Sequence, residues 1–447
     1  MSLHYPLIAH DDAARPLARF ADHEHSAGRF IADVTTLAEQ LPEREALLNA
    51  CQNRYLFAVA LYACALRGIL CLLPASHSEQ TIAQLCEDYP ALGCLSDRPD
   101  SDIALPTLLI DATLLAASDA SHWPPPSLPA GQRIARVFTS GSTGRPQGHD
   151  KYWGALVETT RAGVESLGLE PGFSLLGTVP AQHMYGLEST VLLPLLGGGL
   201  LCAERPFYPA DVEAVLAALP APRVLVSTPF HLRTLLESGL PVPQLALITS
   251  ATAPLSGELA GELEARFEAP LLEIYGCTEA GQLATRRSAS TECWECMPGV
   301  QLRPDGAERA IVHGGHVWKE QPLNDRVELL GTRHFRLLGR TADLVNVAGK
   351  RSSLAYLTQQ LLTIPGVTDG IFFLPEEEGI GSVARLAALV VAPELERTVL
   401  LSALRQRIDA AFLPRPLKFV AALPRNATGK LPLAELRAAL QDAATDD

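Results

Sequence analysis

The sequence predicts an α/β fold in two parts: a large, multi-lobed N-terminal part of layered α/β sheets over residues 1–339, and a small, mobile α+β domain over residues 340–447. Three observations support this prediction. A chain of 447 residues exceeds one ordinary compact core. Short apolar runs alternate with helical stretches from Ala46 onward. After about Arg340 the pattern changes to a shorter unit of ordinary domain size.

The elements follow from local patterns along the chain. Residues 56–74 are the most apolar run, but Arg67 and Gly68 interrupt it. A membrane span needs about 20 uninterrupted apolar residues, so this run does not indicate one. It indicates a buried helix followed by a strand. Polar or glycine-containing loops follow several predicted strands, and ligands of open α/β sheets bind at such strand ends. The predicted strands are 134–138, 173–179, 200–202, 224–227, 245–249, 271–275, 370–374 and 387–391, with helices at 211–219, 231–238, 353–362 and 399–411.

Charge and composition disfavour several classes of protein. A formal net charge of -14 argues against a broad nucleic-acid surface. Nine cysteines without a regular framework indicate reduced thiols, and therefore a cytoplasmic protein. The start of the chain has no basic region followed by an apolar segment, so we expect neither secretion nor a membrane span. Cys293 and Cys296 have zinc-ligand spacing, but a structural zinc site needs four ligands and the sequence has no matching second pair.

A candidate phosphate-binding loop follows the predicted strand 134–138. Residues 139–146 combine four hydroxyl side chains with two glycines, whose freed backbone amides can surround phosphate oxygens. A surface turn rich in serine and glycine is the alternative. The loop lacks the Walker A pattern, which excludes an ordinary P-loop kinase or GTPase. The candidate ligands are Thr139, Ser140, Gly141, Ser142, Thr143 and Gly144.

This loop resembles the phosphate-binding signature of the adenylate-forming superfamily, which includes acyl-CoA synthetases, nonribosomal peptide adenylation domains and luciferases. Further segments resemble motifs of the same family, in the same order, between residues 138 and 431. The family pattern continues with Pro-Lys-Gly, whereas Gln147 stands here in place of the lysine. One cation is therefore missing at the pyrophosphate end, and Lys151 is a candidate to reach back in its place.

The second matching segment, residues 180–187, resembles the acid-pocket segment of acyl-CoA synthetases. The resemblance makes His183 a catalytic candidate, beside the substrate carboxylate or at the gate of the thiol tunnel, and it assigns Tyr185 and Gly186 to the substrate and thiol tunnel. A structural histidine is the alternative for His183. Amino-acid-activating relatives place an aspartate in this segment. None occurs here, which disfavours an amino acid as the substrate.

Two further segments, 250–254 and 275–279, resemble the nucleotide loops of the family. In relatives, the first loop and the aromatic residue of the second enclose adenine, the threonine meets the α-phosphate region, and the glutamate helps to hold Mg²⁺. A flat aromatic face suits a purine, and a carboxylate suits Mg²⁺. A core aromatic and a helix N-terminal charge are the alternatives for Tyr275 and Glu279. The resemblance assigns Ala251, Thr252, Ala253, Tyr275, Gly276 and Thr278 to the nucleotide, and Glu279 to Mg²⁺.

The last motifs lie near and beyond residue 325. Asp325 and Arg340 match the two ribose contacts of the family, and Arg340 opens the hinge, in which Ala342 replaces the usual charged residue. Residues 424–431 resemble the catalytic lysine loop, which implies that Lys430 is the cation that stabilises the charge between the acyl carboxylate and the α-phosphate, with an ordinary surface lysine as the alternative. Gly349 corresponds to the path of the thiol. Exposed surface charges are the alternative for Asp325 and Arg340.

Together these resemblances imply an acid–thiol ligase that uses ATP and Mg²⁺, with residues 1–339 as the AMP-binding adenylation domain and 340–447 as the domain carrying the catalytic lysine. The compact N-terminal region is most similar to ligases of aryl-polyene pigment pathways. That similarity implies a hydroxylated aromatic acid and an acyl carrier protein as thiol acceptor, with CoA as the competing acceptor. A stand-alone amino-acid adenylation enzyme and a non-catalytic nucleotide-binding homologue remain open, the latter because of Gln147 and Ala342.

Overall fold

Two compact units make up the chain in a computed structural model. One unit comprises Met1–Arg303, Val312–Gln321 and Gly331–His334, and the other comprises Pro304–Ile311, Pro322–Leu330 and Phe335–Asp447. Among the helices described, none has both the length and the apolar character needed to cross a bilayer. The structure describes residues 3–74, 76–100, 102–111, 113–115, 123–140, 146–306, 308–340, 344–347, 350–375, 386–426 and 431–442.

The helices of the first unit are α1 to α9, and those of the second are α10 to α12. A π-helical segment, Leu187–Leu192, joins α5 to α6 without a break. The bounds are α1 (Ala27–Gln40), α2 (Arg54–Leu66), α3 (Glu79–Asp88), α4 (Trp153–Ser166), α5 (Met184–Gly186), α6 (Leu193–Gly197), α7 (Pro209–Ala218), α8 (Pro229–Glu237), α9 (Gly257–Phe267), α10 (Leu354–Leu362), α11 (Arg397–Arg405) and α12 (Leu433–Asp442).

The strands are mostly short, and the longest, of seven or eight residues, include the two that flank the candidate phosphate loop. The bounds are β1 (His4–Pro6), β2 (Pro16–Arg19), β3 (Glu24–Ser26), β4 (Ala46–Asn49), β5 (Leu70–Leu73), β6 (Gly93–Ser96), β7 (Thr107–Leu109), β8 (Ser127–Pro129), β9 (Arg133–Ser140), β10 (Pro146–Tyr152), β11 (Ser174–Gly177), β12 (Leu200–Cys202), β13 (Arg223–Ser227), β14 (Leu247–Ser250), β15 (Leu271–Cys277), β16 (Gly281–Arg286), β17 (Trp294–Cys296), β18 (Gln301–Pro304), β19 (Ala310–Gly314), β20 (Val317–Pro322), β21 (Asp325–Leu329), β22 (His334–Arg340), β23 (Leu344–Val347), β24 (Lys350–Ser353), β25 (Asp369–Phe373), β26 (Ala387–Val391) and β27 (Leu417–Phe419).

Two sheets dominate the first unit. One has the strand order β10-β9-β5-β4-β6-β7, and the other contains the run β17-β16-β15-β14-β13-β11-β12-β2-β3. In the second sheet β11, β13, β14 and β15 are parallel neighbours. Their carboxyl ends therefore lie at one edge of the sheet, where ligands of α/β proteins bind. The predicted layered α/β fold is confirmed.

The segment from α2 to β5 shows how an apolar run becomes a helix and then a strand. The Asn53 side chain accepts hydrogen bonds from the backbone N–H groups of Tyr55 and Leu56 and so caps the helix. Gly68, with φ of +66°, has the left-handed conformation that ends a helix. Because α2 is buried on nearly all sides, an apolar surface all round suits it. The interpretation of residues 56–74 as a buried helix followed by a strand is confirmed.

The second unit contains the three-stranded sheet β25-β26-β27, with a core that includes residues from α10 and α11. The predicted helix 399–411 is wrong at its end, because α11 stops at Arg405. Asp409 instead caps a separate 3₁₀ turn, Ala410–Phe412, and its side chain accepts a hydrogen bond of 3.0 Å from the Ala411 N–H. An aspartate that binds nearby backbone donors favours such a turn over a helix interior.

Candidate active site

Three predicted segments meet at the carboxyl edge of the parallel strands in the first unit. Residues 180–187 follow β11, residues 251–253 follow β14, and residues 275–279 span the end of β15 and the start of the turn after it. The hydroxyl groups of Tyr185 and Thr249 lie 3.1 Å apart, which joins the acid-pocket segment to β14. The structure therefore brings the acid-pocket segment and both nucleotide loops to one edge.

The candidate phosphate loop lies between two antiparallel strands, β9 and β10. Thr139 and Ser140 end β9, and Gln147 pairs with Thr139 across the hairpin. The Thr139 hydroxyl lies 3.1 Å from Nε2 of His149, and burial lowers the pKa of that histidine. The predicted phosphate ligands that lie outside the described residues are Gly141, Ser142, Thr143 and Gly144.

The acid-pocket segment turns sharply before its helix. His183 is half-buried and directly precedes α5. A Cβ atom on Gly186 would lie 1.8 Å from the backbone oxygen of Pro180, so a side chain has no room there. The Thr190 hydroxyl donates to the Gly186 carbonyl over 2.6 Å and holds the turn from the other side. Gly186 is thus required by close packing of the segment upon itself.

The loop after β14 contains a strained residue. Thr252 has φ of +77°, which is unusual for a β-branched residue and costs about 1–3 kcal/mol. Its neighbour Ala251 is buried, while Thr252 and Ala253 are exposed. The Ser250 hydroxyl is buried and has no hydrogen-bond partner among the described residues. Strain of this kind is concentrated at binding sites, which agrees with the nucleotide role predicted for this loop.

Tyr275 is oriented by aromatic and charged neighbours. Its ring centroid lies 5.6 Å from that of Trp294, at an interplanar angle of 57°. The Arg286 guanidinium lies over the Trp294 ring, 4.6 Å from its centroid, and Arg286 also bonds to Glu273 over 2.6 Å. A cation placed over an indole in this way is a favourable contact. The half-buried Tyr275 ring therefore lies beside an indole ring, that of Trp294, whose position Arg286 helps to fix.

The turn from β15 to β16 carries the predicted Mg²⁺ ligand. A Cβ atom on Gly276 would lie 2.4 Å from the Gly281 oxygen, so this tight turn requires glycine. Glu279 is exposed beside the half-buried Thr278, and oxygen ligands of this kind fit Mg²⁺. Burial, and then the charge of Glu279, raises the pKa of Cys277 to about 12. The thiol of Cys277 is thus protonated at neutral pH and does not act as a nucleophile.

The two predicted ribose contacts are neighbours in the second unit. Asp325 pairs with Arg340 across the hairpin of β21 and β22. Arg425, the second residue of the lysine-loop segment 424–431, donates two hydrogen bonds to Asp369, at 3.0 and 2.7 Å. This bidentate pair anchors the start of the loop to β25. Lys430 and Gly349 lie outside the described residues.

Two buried polar residues near this edge were not found from the sequence. Arg54 begins α2, and all five of its N–H groups donate hydrogen bonds. His231, in α8, places Nδ1 3.2 Å from the Thr178 hydroxyl and 3.3 Å from the Thr228 hydroxyl. The sequence Thr228-Pro229 after a predicted strand is the signal of a capped helix start that could have drawn attention to His231. Arg54 has no comparable local signal.

His231 makes the stability of the first unit depend on pH. Burial, with a smaller contribution from Arg205, lowers the pKa of His231 from 6.5 to about 4. Below pH 6.5 the unfolded chain therefore binds a proton that the folded chain does not, and stability falls as the pH falls towards 4. We expect His231 to account for a loss of about 2 kcal/mol between pH 6.5 and 4.5, measured by urea unfolding.

The matched variants are His231→Gln, which cannot titrate, and His334→Gln at an exposed position. His231→Gln should lose less stability than the unaltered protein over this pH range, and His334→Gln should behave like the unaltered protein. Equal losses in all three proteins would contradict the assignment.

The candidate phosphate, nucleotide and acid-pocket segments are the features expected of an enzyme that binds a nucleotide beside an organic acid. The sequence matches the family described as AMP-binding enzyme over residues 37–313, and the protein belongs to this family. It is an acyl-AMP-forming ligase. Members of the family use ATP and Mg²⁺, which are therefore the cofactors of this protein.

Known proteins resemble the chain in sequence and in fold. It is 31% identical over 309 residues to 4-coumarate–CoA ligase from Halorhodospira halophila, covering 66% of this chain and 73% of the relative. It is 29% identical over 298 residues to the 4-coumarate–CoA ligase of Rhodobacter capsulatus, covering 65% and 73%. The structure of o-succinylbenzoate CoA synthetase from Bacillus subtilis, in complex with its acyl-adenylate intermediate, has a TM-score of 0.81, 20% identity and 99% coverage of both chains.

Proposed function

We propose that this protein joins an aromatic or hydroxy-aromatic carboxylic acid to the thiol of CoA through an acyl-AMP intermediate. The observation that carries the proposal is the meeting of the acid-pocket segment with both nucleotide loops at the carboxyl ends of β11, β14 and β15. Such an arrangement would hold the acid beside the nucleotide and remove much of the entropic barrier. Relatives whose names give 4-coumarate and CoA support these substrate classes.

The proposed reaction has two steps. A carboxylate oxygen attacks the α-phosphorus of ATP, the bond to the bridging oxygen of the β-phosphate breaks, and pyrophosphate leaves. The thiol sulfur then attacks the acyl carbon and loses its proton, while AMP leaves with the electron pair of the broken C–O bond. The first step is needed because attack on a free carboxylate would add negative charge to an anion.

Each predicted site residue keeps a role in this proposal. We propose that the domain of residues 340–447 supplies Lys430 to the first step and then moves about the hinge that begins at Arg340. Glu279 would hold Mg²⁺, which supplies positive charge to the phosphate oxygens when bound. We assign to the acid pocket and the thiol path His183, Tyr185, Gly186 and Gly349. The residues proposed for the nucleotide are Thr139, Ser140, Gly141, Ser142, Thr143, Gly144, Ala251, Thr252, Ala253, Tyr275, Gly276, Thr278, Asp325 and Arg340.

A simple carboxylic acid is favoured over an amino acid. An acidic residue does follow the acid-pocket segment, but this residue, Glu188, is only 3% exposed. Burial raises the pKa of Glu188 to about 8, while the charge of Lys151 acts in the opposite direction. A buried carboxyl that already interacts with a lysine is a poor partner for a substrate ammonium. An amino-acid-activating enzyme is therefore the weaker alternative.

Rings at the same sheet edge support an aromatic acid. Phe207 and Phe230 contact His231 with ring centroids 5.3 and 5.5 Å away. The hydroxyl groups of Thr178 and Ser227, at the ends of β11 and β13, lie 2.9 Å apart. Aromatic side chains can pack against the ring of a planar substrate acid. Nearby hydroxyl groups can form hydrogen bonds with a hydroxyl group on that acid.

A carrier-protein phosphopantetheine is the second candidate acceptor. It presents the same thiol as CoA, and the similarity to ligases of aryl-polyene pathways favours it. Either acceptor agrees with a protein whose cysteines are free thiols, as they are here. We therefore propose a cytoplasmic location.

The test is an ATP–pyrophosphate exchange assay across hydroxycinnamic acids, benzoic acids, fatty acids, dicarboxylic acids and amino acids. We expect exchange with aromatic acids, its loss when Mg²⁺ is chelated, and no exchange without an acid. Mass analysis after adding CoA or a phosphopantetheinylated carrier protein then identifies the acceptor. Exchange with amino acids alone would replace the proposal by the amino-acid alternative. No exchange, together with no affinity for ATP, would refute it.

A further inference from the structure

The buried ammonium group of Lys151 lies beneath the turn between β15 and β16. Lys151 is 5% exposed. Its Nζ atom donates to the backbone oxygen of Thr278 and, over 3.4 Å, to that of Glu279. The contacts reach two successive carbonyl groups of the turn that contains the proposed Mg²⁺ ligand. Lys151 therefore holds the backbone of this turn through hydrogen bonds from its buried side chain and not through contacts at the protein surface.

Glu188 is a buried acidic residue at the far end of the same turn. It lies in the π-helical segment, and its Oε1 atom has no hydrogen-bond partner within the described part of the chain. A Cβ atom on Gly281 would lie 2.6 Å from this oxygen, so Glu188 packs directly against the far end of the same turn. Burial lowers the pKa of Lys151, and the nearby Glu188 carboxyl acts in the opposite direction.

Further polar contacts hold the end of the turn. The Gln282 amide donates to the Ser189 hydroxyl over 2.8 Å. The Nε2 atom of His316 lies 2.7 Å from the Gln282 carbonyl oxygen. Ser189 is the neighbour of Glu188, so one helical segment meets both Gly281 and Gln282. The turn is thus supported from β10 at its beginning and from the π-helical segment at its end.

The position of Lys151 on β10 relates it to the departure at Gln147. Alternate residues of a strand share one face, so residues 147, 149 and 151 lie on the same side of β10. Gln147 is exposed, whereas Lys151, four positions later, is buried under the turn. β10 thus carries a cation, Lys151, on the same face as Gln147. This cation contacts the turn at Thr278 and Glu279.

We propose that the buried ammonium group of Lys151 is a brace that positions the Thr278–Glu279 turn for adenylate formation, with Glu188 packed against the far end of the same turn. Lys151 is then a positioning residue, which acts through the backbone of the turn. This inference rests on the proposed function, since it assigns the turn to the phosphates and to Mg²⁺. In this proposal, the fixed Thr278–Glu279 turn compensates for the lysine that the family has at position 147.

The experiment compares Lys151→Met with the double variant Lys151→Met/Glu188→Gln and with Lys319→Met, the same change at an exposed lysine. Lys151→Met leaves the carbonyl oxygens of Thr278 and Glu279 without this donor and the buried Glu188 carboxyl without a nearby ammonium group, so we expect a lower melting temperature. The double variant also replaces that carboxyl by a neutral amide and should recover part of the loss. Adenylate formation in the double variant should remain about 100-fold below that of the unaltered protein, with a higher Mg²⁺ requirement, because a displaced reacting group costs about this much. Lys319→Met should change neither property.

The outcomes separate the brace from a merely structural role and from the proposed function. Recovery of adenylate formation together with the melting temperature in the double variant would overturn the brace. So would normal activity in Lys151→Met. If the unaltered protein forms no adenylate with any acid, the proposed function fails. The brace is then tested by the affinity for MgATP, which should be about 10-fold weaker in the double variant and unchanged in Lys319→Met; equal affinity in all proteins would overturn it.

Discussion

Lys430→Ala is expected to lower the rate of adenylate formation by about three orders of magnitude. Negative charge builds up between the acid carboxylate and the α-phosphate as pyrophosphate leaves, and the Lys430 ammonium is the cation that we propose stabilises it. The measurement is ATP–pyrophosphate exchange with the best acid of the panel. Transfer from a supplied acyl-AMP to CoA should be nearly unchanged, because the proposed movement of the domain of residues 340–447 withdraws Lys430 before that step.

The matched control is Lys418→Ala, which removes a half-buried lysine from β27 of the same unit. This variant should keep its exchange activity. The start of the lysine loop is fixed by the Arg425–Asp369 pair, which neither variant alters. Equal exchange in Lys430→Ala and the unaltered protein would remove Lys430 from the mechanism and favour a non-catalytic homologue.

Local patterns predicted the parallel strands of the first unit well. The predicted strand 245–249 is observed as Leu247–Ser250, and 271–275 as Leu271–Cys277. Each is a short apolar run bounded by turn residues, and burial on both faces makes such runs continuous. The end of α11 was not predicted, because the capping of a 3₁₀ turn by Asp409 depends on one hydrogen bond that periodicity does not report.

The motifs of the site were predictable in order, but the contacts that support them were not. The resemblance located residues 180–187 and 275–279, and the structure adds why they stay in place. Lys151 and Thr278 are 127 positions apart, and Gln282 and Ser189 are 93 apart. A pattern along the chain carries no information about pairs at such separations, because their contact depends on how the sheets pack.

Arg54 illustrates the same limit and has the largest expected effect on stability. In the sequence it is one polar residue before an apolar helix, yet it is 1% exposed. Burial lowers its pKa to about 10, so it stays charged at neutral pH. Its guanidinium joins the chain before the acid-pocket segment to the chain after β12. The acceptors are the backbone oxygens of Gly177 at 2.9 Å, Val179 at 3.1 Å, Cys202 at 3.1 Å and Glu204 at 2.8 Å, and the Thr190 hydroxyl at 3.0 Å.

Arg54→Met is therefore expected to lower the free energy of unfolding of the first unit by about 4 kcal/mol or more, because methionine fills part of the space but leaves several buried acceptors without donors. Urea unfolding measures the loss. Arg67→Met is the control: Arg67 is exposed and donates one hydrogen bond of 2.9 Å to the Ala38 oxygen, so we expect a change within about 1 kcal/mol. If both variants unfold at the same urea concentration, Arg54 does not hold these segments together. If only Arg54→Met is destabilised, and its KM for the acid also rises, the guanidinium fixes the backbone from which the acid pocket is built.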